Sequence, residues 1–392
     1  MTSDIPLFFI VTGEPSGDVL GARLMAALKR ATGGRIRFMG VGGESMAAEG
    51  LESLVDQSAL AVMGLVEVIP RIPRVLAIIR SLTDRIVQES PVALITVDSW
   101  GFTGRLQRSV AKASPSVRRI HYVAPMVWAW KETRAKTVAR TVQSLLCLLP
   151  NEPAWFRPYG LECCHVGHPV VGSGADKGDG ALFRAQHNIA PDSLVLCVLP
   201  GSRHSETSRL LPVLKGVVTS LVAMNPDLVV VVPTVATVSA MVAEAVKSWP
   251  ARVVLVRGEQ DRYAAFAAST AAVAASGTVT LELAMASVPH CIIYRVAPLT
   301  AWIFRRLTRL RFVNLINIVR DREIVPELLQ EKCVSERIAP VVQALLYDPS
   351  QREAQRLEFA QSLRYLAGGD GDPADRAAAA VLEFSGVRQP VP

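Results

Sequence analysis

A275-S-G-T-V-T-L-E282 closes a short apolar run, Ala271 to Ala275, and opens a stretch, Val279 to Ala286, with helical character. A buried strand that turns on Ser276-Gly277-Thr278 into a helix is the basic step of an α/β fold. The same step makes an anion site, because open backbone N–H groups, the positive end of the helix dipole and two hydroxyls converge there. Glu282 stands one turn into the helix, on the face of Thr278. A carboxylate so placed accepts from a ribose diol while the helix start holds a phosphate, which suits a nucleoside diphosphate. A capped helix with a solvated glutamate would use the same residues, so the motif needs support from its surroundings.

Those surroundings repeat the strand-then-helix step in both halves of the chain. In the first half the expected strands are Leu7–Thr12, Ile36–Gly40, Ala93–Asp98, Arg119–Val123 and Ser144–Leu149. Helices are expected over Asp18–Lys29 and Arg74–Gln88; in the latter Val75, Ile78, Ile79, Leu82 and Ile86 share one face. In the second half Leu194–Leu199, Leu228–Val232, Val253–Val256, Ala271–Ala275 and Cys291–Tyr294 read as strands. Strands this apolar are covered on both faces, which means parallel sheets between helices. The glycine-rich run 172–180, GSGADKGDG, separates the halves, and a second polar break, 368–373, precedes an alanine-rich last helix from about Ala374. The expected architecture is two doubly wound, Rossmann-like domains facing a cleft. Residues 1–172 form the first, completed by the helix within 374–392, and residues 173–373 form the second.

Composition bounds the function. The chain has 392 residues, is 50% hydrophobic and carries a net charge of +7, with a pI near 9.2. An acidic partner follows: a phosphorylated substrate or an anionic membrane surface. Aromatics are only 6%, and no basic run is interleaved with stacking residues, which disfavours nucleic acid. The six cysteines form no C-x-x-C pair and read as reduced core residues. With no leader-like start and no uncharged run long enough to span a bilayer, a cytoplasmic location is expected.

Other strand ends carry candidate chemistry. T12-G-E-P-S-G-D18 offers a tight turn in which Ser16 or Asp18 could cap the next helix, and it aims Glu14 into the expected cleft. Asp98 ends an apolar strand and is either a general base toward a hydroxyl or the cap of a helix near Phe102. L199-P-G-S-R203 ends the first strand of the second half. Gly201 and Ser202 let the backbone approach a phosphate, and Arg203 can meet it in bidentate fashion. This loop and 276–282 are expected at one sheet edge, flanking one pyrophosphate. His165 and His168 sit in a Gly-Pro turn, and Asp370 and Asp372 in a polar loop, so no metal site is expected. Without one, leaving-phosphate charge falls to Arg203, hydroxyls and the helix dipole.

Two stretches suit lipid. Residues 58–70, SALAVMGLVEVIP, are nearly all apolar and include Val62, Met63, Leu65 and Val66. Between 305 and 322 six arginines, among them Arg305, Arg306 and Arg309, stand against one acid, Asp321, with Trp302 and Phe304 just before them. Basic residues mixed with apolar ones fit an interface with anionic lipid.

Seven segments in order, GEPSGD (13–18), AVMGLVEV (61–68), HYVAPMVWAW (121–130), VGHP (166–169), LPGSR (199–203), ASGTVTLE (275–282) and ELLQ (327–330), resemble the lipid-A-disaccharide synthase family along nearly the whole chain. The resemblance implies a GT-B glycosyltransferase needing no cofactor or metal. It would condense UDP-diacylglucosamine with diacylglucosamine 1-phosphate, with inversion, into a β-1,6 disaccharide plus UDP. It also implies a peripheral enzyme on the cytoplasmic face of the inner membrane, with a homo-oligomer possible. By position, Asp98 matches the base, Glu14 a cleft carboxylate and Asn317 an active-site asparagine. Arg203, Ser276, Thr278 and Glu282, with Gly201, Ser202 and Gly277 around them, match the UDP side. The chain departs from the family in reading Trp100-Gly101 where Pro-Asp is usual, and Ile316-Asn317 where Pro-Asn is frequent. From the residues alone, a UDP-sugar epimerase of the same architecture and a non-catalytic lipid-binding scaffold stay open.

Overall fold

The computed structural model describes residues 5–57, 72–130, 133–297, 302 and 310–387. They fall into two compact units, Met1–Gly172 with Leu366–Pro392, and Ser173–Tyr365.

The first unit is a six-stranded parallel sheet in the order β2-β1-β3-β4-β5-β6. Its strands are β1 (Leu7–Thr12), β2 (Arg37–Val41), β3 (Ala93–Val97), β4 (Arg118–Tyr122), β5 (Ser144–Cys147) and β6 (Glu162–His165). Helices α1 (Pro15–Ala31), α2 (Glu44–Ala48), α3 (Ile72–Glu89) and α4 (Trp100–Ala113) connect the early strands. β1 and β3 are buried at every position, as the middle of a doubly covered sheet requires. On α3 the expected face is the one that packs: Ile79, Leu82 and Ile86 are buried while Arg80 and Asp84 are exposed.

The second unit has the strand order β12-β11-β10-β7-β8-β9, again all parallel. These are β7 (Val195–Leu199), β8 (Val229–Pro233), β9 (Arg252–Val256), β10 (Ala271–Ala275), β11 (His290–Tyr294) and β12 (Glu327–Leu329). Its helices include α5 (His204–Val222), α6 (Glu259–Ala268), α7 (Val279–Met285), α8 (Leu315–Arg320) and α9 (Pro349–Ala367). β7, the first strand of the unit, pairs with β8 on one side and β10 on the other, so the winding reverses between β7 and β10. Loops leaving the carboxyl ends of those two strands diverge and leave room for a ligand.

The last helix, α10 (Pro373–Ser385), belongs to the first unit. Its Ala374, Ala377, Ala378 and Val381 pack with Leu24, Met25 and Leu28 of α1. Small residues let the two helices approach closely, and Arg23 pairs with Asp372 at 3.0 Å beside the contact.

Two edge strands, β6 and β12, were not among the expected ones, because short edge segments with polar residues (ECCH and ELL) carry no buried-strand signature. The turn after β1 also differs from expectation. Glu14 is the N-cap of α1 and its side chain makes no cap bond. Asp18 instead reaches α2, accepting from the amides of Gly43 at 2.6 Å, Ser45 at 2.8 Å and Met46 at 3.1 Å. Gly40 of the neighbouring strand has φ +149°, and a Cβ there would lie 1.8 Å from the Ile10 carbonyl oxygen. Gly40 therefore serves close packing of β2 on β1.

Candidate active site

In the second unit the two predicted segments meet. A cavity of about 580 Å³ is lined by Gly201 and Ser202 after β7 and by Ser276, Gly277, Thr278 and Glu282 after β10. It therefore lies at the reversal of winding. Among the described residues the Gly277 and Thr278 amides donate to no protein acceptor, while Ser276 N–H is spent on the Ile293 carbonyl at 3.2 Å. Gly277 has nothing within 4 Å of where a Cβ would stand. Backbone donors, a hydroxyl and open space together form an anion cradle.

Glu282 is mostly buried, and burial pushes its carboxyl upward in pKa while the Arg262 guanidinium opposes the shift. Arg262 Nη2 donates to Glu282 Oε1 at 3.2 Å. Arg262 and Arg257 line the cavity from the β9–α6 side, and neither was singled out from sequence. The only local signal was a basic residue, Arg257, directly after a strand and before Gly258, whose φ is +86°. Arg203 is exposed and acts as N-cap of α5; its neighbours line the cavity, but it does not. Glu206, one turn into α5, does line it, and burial raises its pKa.

In the first unit the reversal lies between β1 and β3, where Thr12 stands beside Val97. Glu14 and Asp98 follow at these neighbouring strand ends. Asp98 and Ser99 both occupy the left-handed region, with φ of +53° and +46°. Such backbone costs of order 1–3 kcal/mol per residue and persists where the surroundings enforce it. Here Asp98 N–H donates to the Tyr122 carbonyl at 2.9 Å and Thr103 Oγ1 donates to the Asp98 carbonyl at 2.7 Å. The helix that follows begins at Trp100 with Ser99 as N-cap, so Asp98 does not cap it. Among the described residues the Asp98 carboxylate has no hydrogen-bond or ion-pair partner. Beneath the turn, Trp100 packs edge-on against His121 at 4.8 Å. The His121 ring is fully buried, bonded to Thr96 Oγ1 at 2.8 Å, and desolvation lowers its pKa to about 3. Trp100 thus packs where the resemblance implied a proline, and Gly101 is exposed.

The sequence profile of the Lipid-A-disaccharide synthetase family matches residues 8–370. The chain belongs to that family. Lipid-A-disaccharide synthase of Paramagnetospirillum magneticum is 52% identical over 380 residues, covering 96% of this chain and 97% of that protein. The Rhodospirillum centenum enzyme is 50% identical, covering 96% and 94%. Among solved structures, UDP-GlcNAc 2-epimerase from Neisseria meningitidis bound to UDP-GlcNAc superposes with a TM-score of 0.64 at 12% identity, covering 96% of this chain and 98% of that one. A glycosyltransferase from Rickettsia africae gives 0.60 at 8% identity, covering 97% of each chain. At such identities the likeness shows the fold alone, that of GT-B enzymes and the related epimerases. Membership of the synthetase family makes the chain a glycosyltransferase of lipid A biosynthesis.

Of the other residues that the synthetase resemblance brought forward, Asn317 is fully buried. Its Nδ2 donates to the Val325 carbonyl at 2.7 Å and to Glu327 Oε1 at 2.9 Å, and its Oδ1 accepts from the Ile324 and Val325 amides at 2.8 and 2.9 Å. With its amide spent in this way, Asn317 organises the α8–β12 connection. Glu327 also accepts from the Asn314 amide, and Asn314 Nδ2 reaches Thr280 Oγ1 on α7 at 3.1 Å. Val62, Met63, Leu65, Val66, Phe304, Arg305, Arg306 and Arg309 lie outside the described residues. Trp302 is 54% exposed. The described arginines of the basic stretch are all ion-paired: Arg311 with Asp321, and Arg320 and Arg322 with Glu358 of α9. Among the described residues no three His, Cys, Asp or Glu side chains gather as a metal site. No described helix is long and apolar enough to cross a membrane.

Proposed function

We propose that this chain transfers a diacylglucosamine from UDP to diacylglucosamine 1-phosphate, giving the β-1,6-linked disaccharide 1-phosphate and UDP. The observation that carries this reading, given the family, is the cavity at the β7/β10 reversal. Its Gly277 and Thr278 amides and the Arg257 guanidinium suit the pyrophosphate, and Glu282 suits the ribose diol. Arg203, next in sequence to the lining Ser202, adds positive charge at the rim. Asp98, a carboxylate without a partner among the described residues and held in a constrained turn, takes the proton of the acceptor hydroxyl. That oxygen attacks C1 of the donor sugar from the face opposite UDP, the C1–O bond to the β-phosphate breaks, and the configuration inverts. Charge grows on the departing diphosphate, so the cationic wall is worth more in the transition state than in the ground state. Glu14, at the neighbouring strand end, supports the acceptor side, and Asn317 acts as a positioning residue through Glu327 and Asn314.

The donor and acceptor both carry acyl chains and reside in membrane, so the protein works as a peripheral enzyme drawn to anionic lipid by its net charge of +7. An epimerase would share the nucleotide cavity but consume no acceptor. Purified protein given both acylated sugars should release disaccharide and UDP in equal amounts. UDP-sugar converted to an isomer without use of the acceptor would overturn the proposal.

A further inference from the structure

Glu282 does not stand alone in the cavity wall. Arg262, on α6, bonds it at 3.2 Å and lies 3.5 Å from Glu259, so one guanidinium is held between two carboxylates. The Arg262–Glu282 pair is well shielded, with side chains 23% and 17% exposed. Arg262 Nε is buried and has no partner, and the guanidinium carbon sits 5.1 Å from the ring centre of Tyr263. All three charged groups line the cavity. A shielded carboxylate with no cation beside it would take up a proton and lose half of its acceptor capacity.

We propose that Arg262 is a positioning and specificity-determining residue: it holds Glu282 ionised and in one rotamer, so that both carboxylate oxygens can accept from a ribose diol, and thereby makes the site selective for ribonucleotides over 2′-deoxyribonucleotides. The inference rests on the reading of the cavity as the UDP site and deepens it. A carboxylate that accepts two hydroxyls is left with an unmet acceptor when one hydroxyl is missing, and a site built around such a bond discriminates strongly. The charged and titratable groups facing Glu282 are Arg262, Glu259 and Tyr263 of α6, Arg257 before that helix, and Glu206 of α5. Among the described residues Arg262 is the one cation bonded to it. Removing that charge raises the Glu282 pKa further, so protonation begins at higher pH.

Calorimetry with UDP and with 2′-deoxy-UDP on the intact protein tests this, using the wild type, Arg262→Gln and Arg262→Lys. Wild type should favour UDP by about tenfold or more. Arg262→Gln should lose most of that preference, and its UDP affinity should fall more steeply than that of wild type as the pH is lowered. Arg262→Lys should restore the pH profile by supplying charge, and only part of the selectivity, because it lacks the planar fork. If Arg262→Gln keeps the wild-type preference and pH profile, Arg262 has no such role even though the UDP site stands. If wild type itself binds UDP and 2′-deoxy-UDP equally, the placing of the ribose at Glu282 fails, and this inference fails with it.

Discussion

At the scale of single residues, the cationic wall of the proposed nucleotide cavity includes two arginines that were not legible in the chain. Arg203 was visible because it ends a glycine-rich turn after a strand. Arg257 and Arg262 were not, since they follow a different strand and come near 276–282 only through the order of strands in the sheet. Arg257→Ala should therefore weaken UDP binding more than Arg203→Ala, by roughly 1.5–3 kcal/mol if it bonds the diphosphate directly. Titration calorimetry on the two variants ranks them. A second residue carries a pH signature. Glu152 is buried, accepts from the Leu148 and Leu149 amides at 3.0 Å each, and burial raises its pKa to about 7. The folded state then holds this proton more tightly than the unfolded chain does. Stability from this group is therefore lost as pH rises from the ordinary carboxylate range to about 7, at no more than about 1.4 kcal/mol per pH unit. Above that the term is constant. Glu152→Gln should flatten the slope in urea midpoints measured from about pH 5 to about pH 8.

At the scale of elements, the α8–β12 connection is the one whose local chemistry matters most to the site. The buried Asn317 side chain satisfies two amides, a carbonyl and Glu327, and Asn314 carries that order to Thr280 of α7. Asn317→Ala should cost about 2–4 kcal/mol in denaturant unfolding, because buried partners are left unmet. Weaker UDP binding should accompany the loss, since Glu327, which orders Asn314 beside α7, loses its bond from Asn317. Full stability in that variant would mean that the hub is not what orders the connection. Most strands were readable because five apolar residues in a row, as in LFFIV (7–11) and AAVAA (271–275), fit a strand buried on both faces. β6 and β12 escaped because edge strands this short leave no such run. The role of Asp18 escaped for a related reason: its bonds go to a loop about 25 residues onward, and only the pairing of β1 with β2 brings that loop near.

At the scale of the whole molecule, the two candidate sites fall in different units of the chain, the nucleotide cavity within Ser173–Tyr365 and the carboxylates Glu14 and Asp98 within Met1–Gly172. Binding and chemistry should then be separable by mutation. The proposed attraction to lipid belongs to this scale as well, because the described arginines of the 305–322 stretch are spent on ion pairs while the net charge remains +7. Flotation with anionic vesicles should fall as salt is added, since exposed charges are screened over about 10 Å at 0.1 M. Equal recovery on neutral vesicles would assign the association to apolar contact instead. Asp98, without a partner among the described residues, is the proposed base of a glycosyl transfer whose donor is held elsewhere in the chain. Asp98→Asn, assayed with saturating donor and acceptor beside calorimetry with UDP, tests it most directly. Turnover should fall by about two to four orders of magnitude with UDP affinity unchanged; near-normal turnover at saturation would mean that Asp98 is not the base.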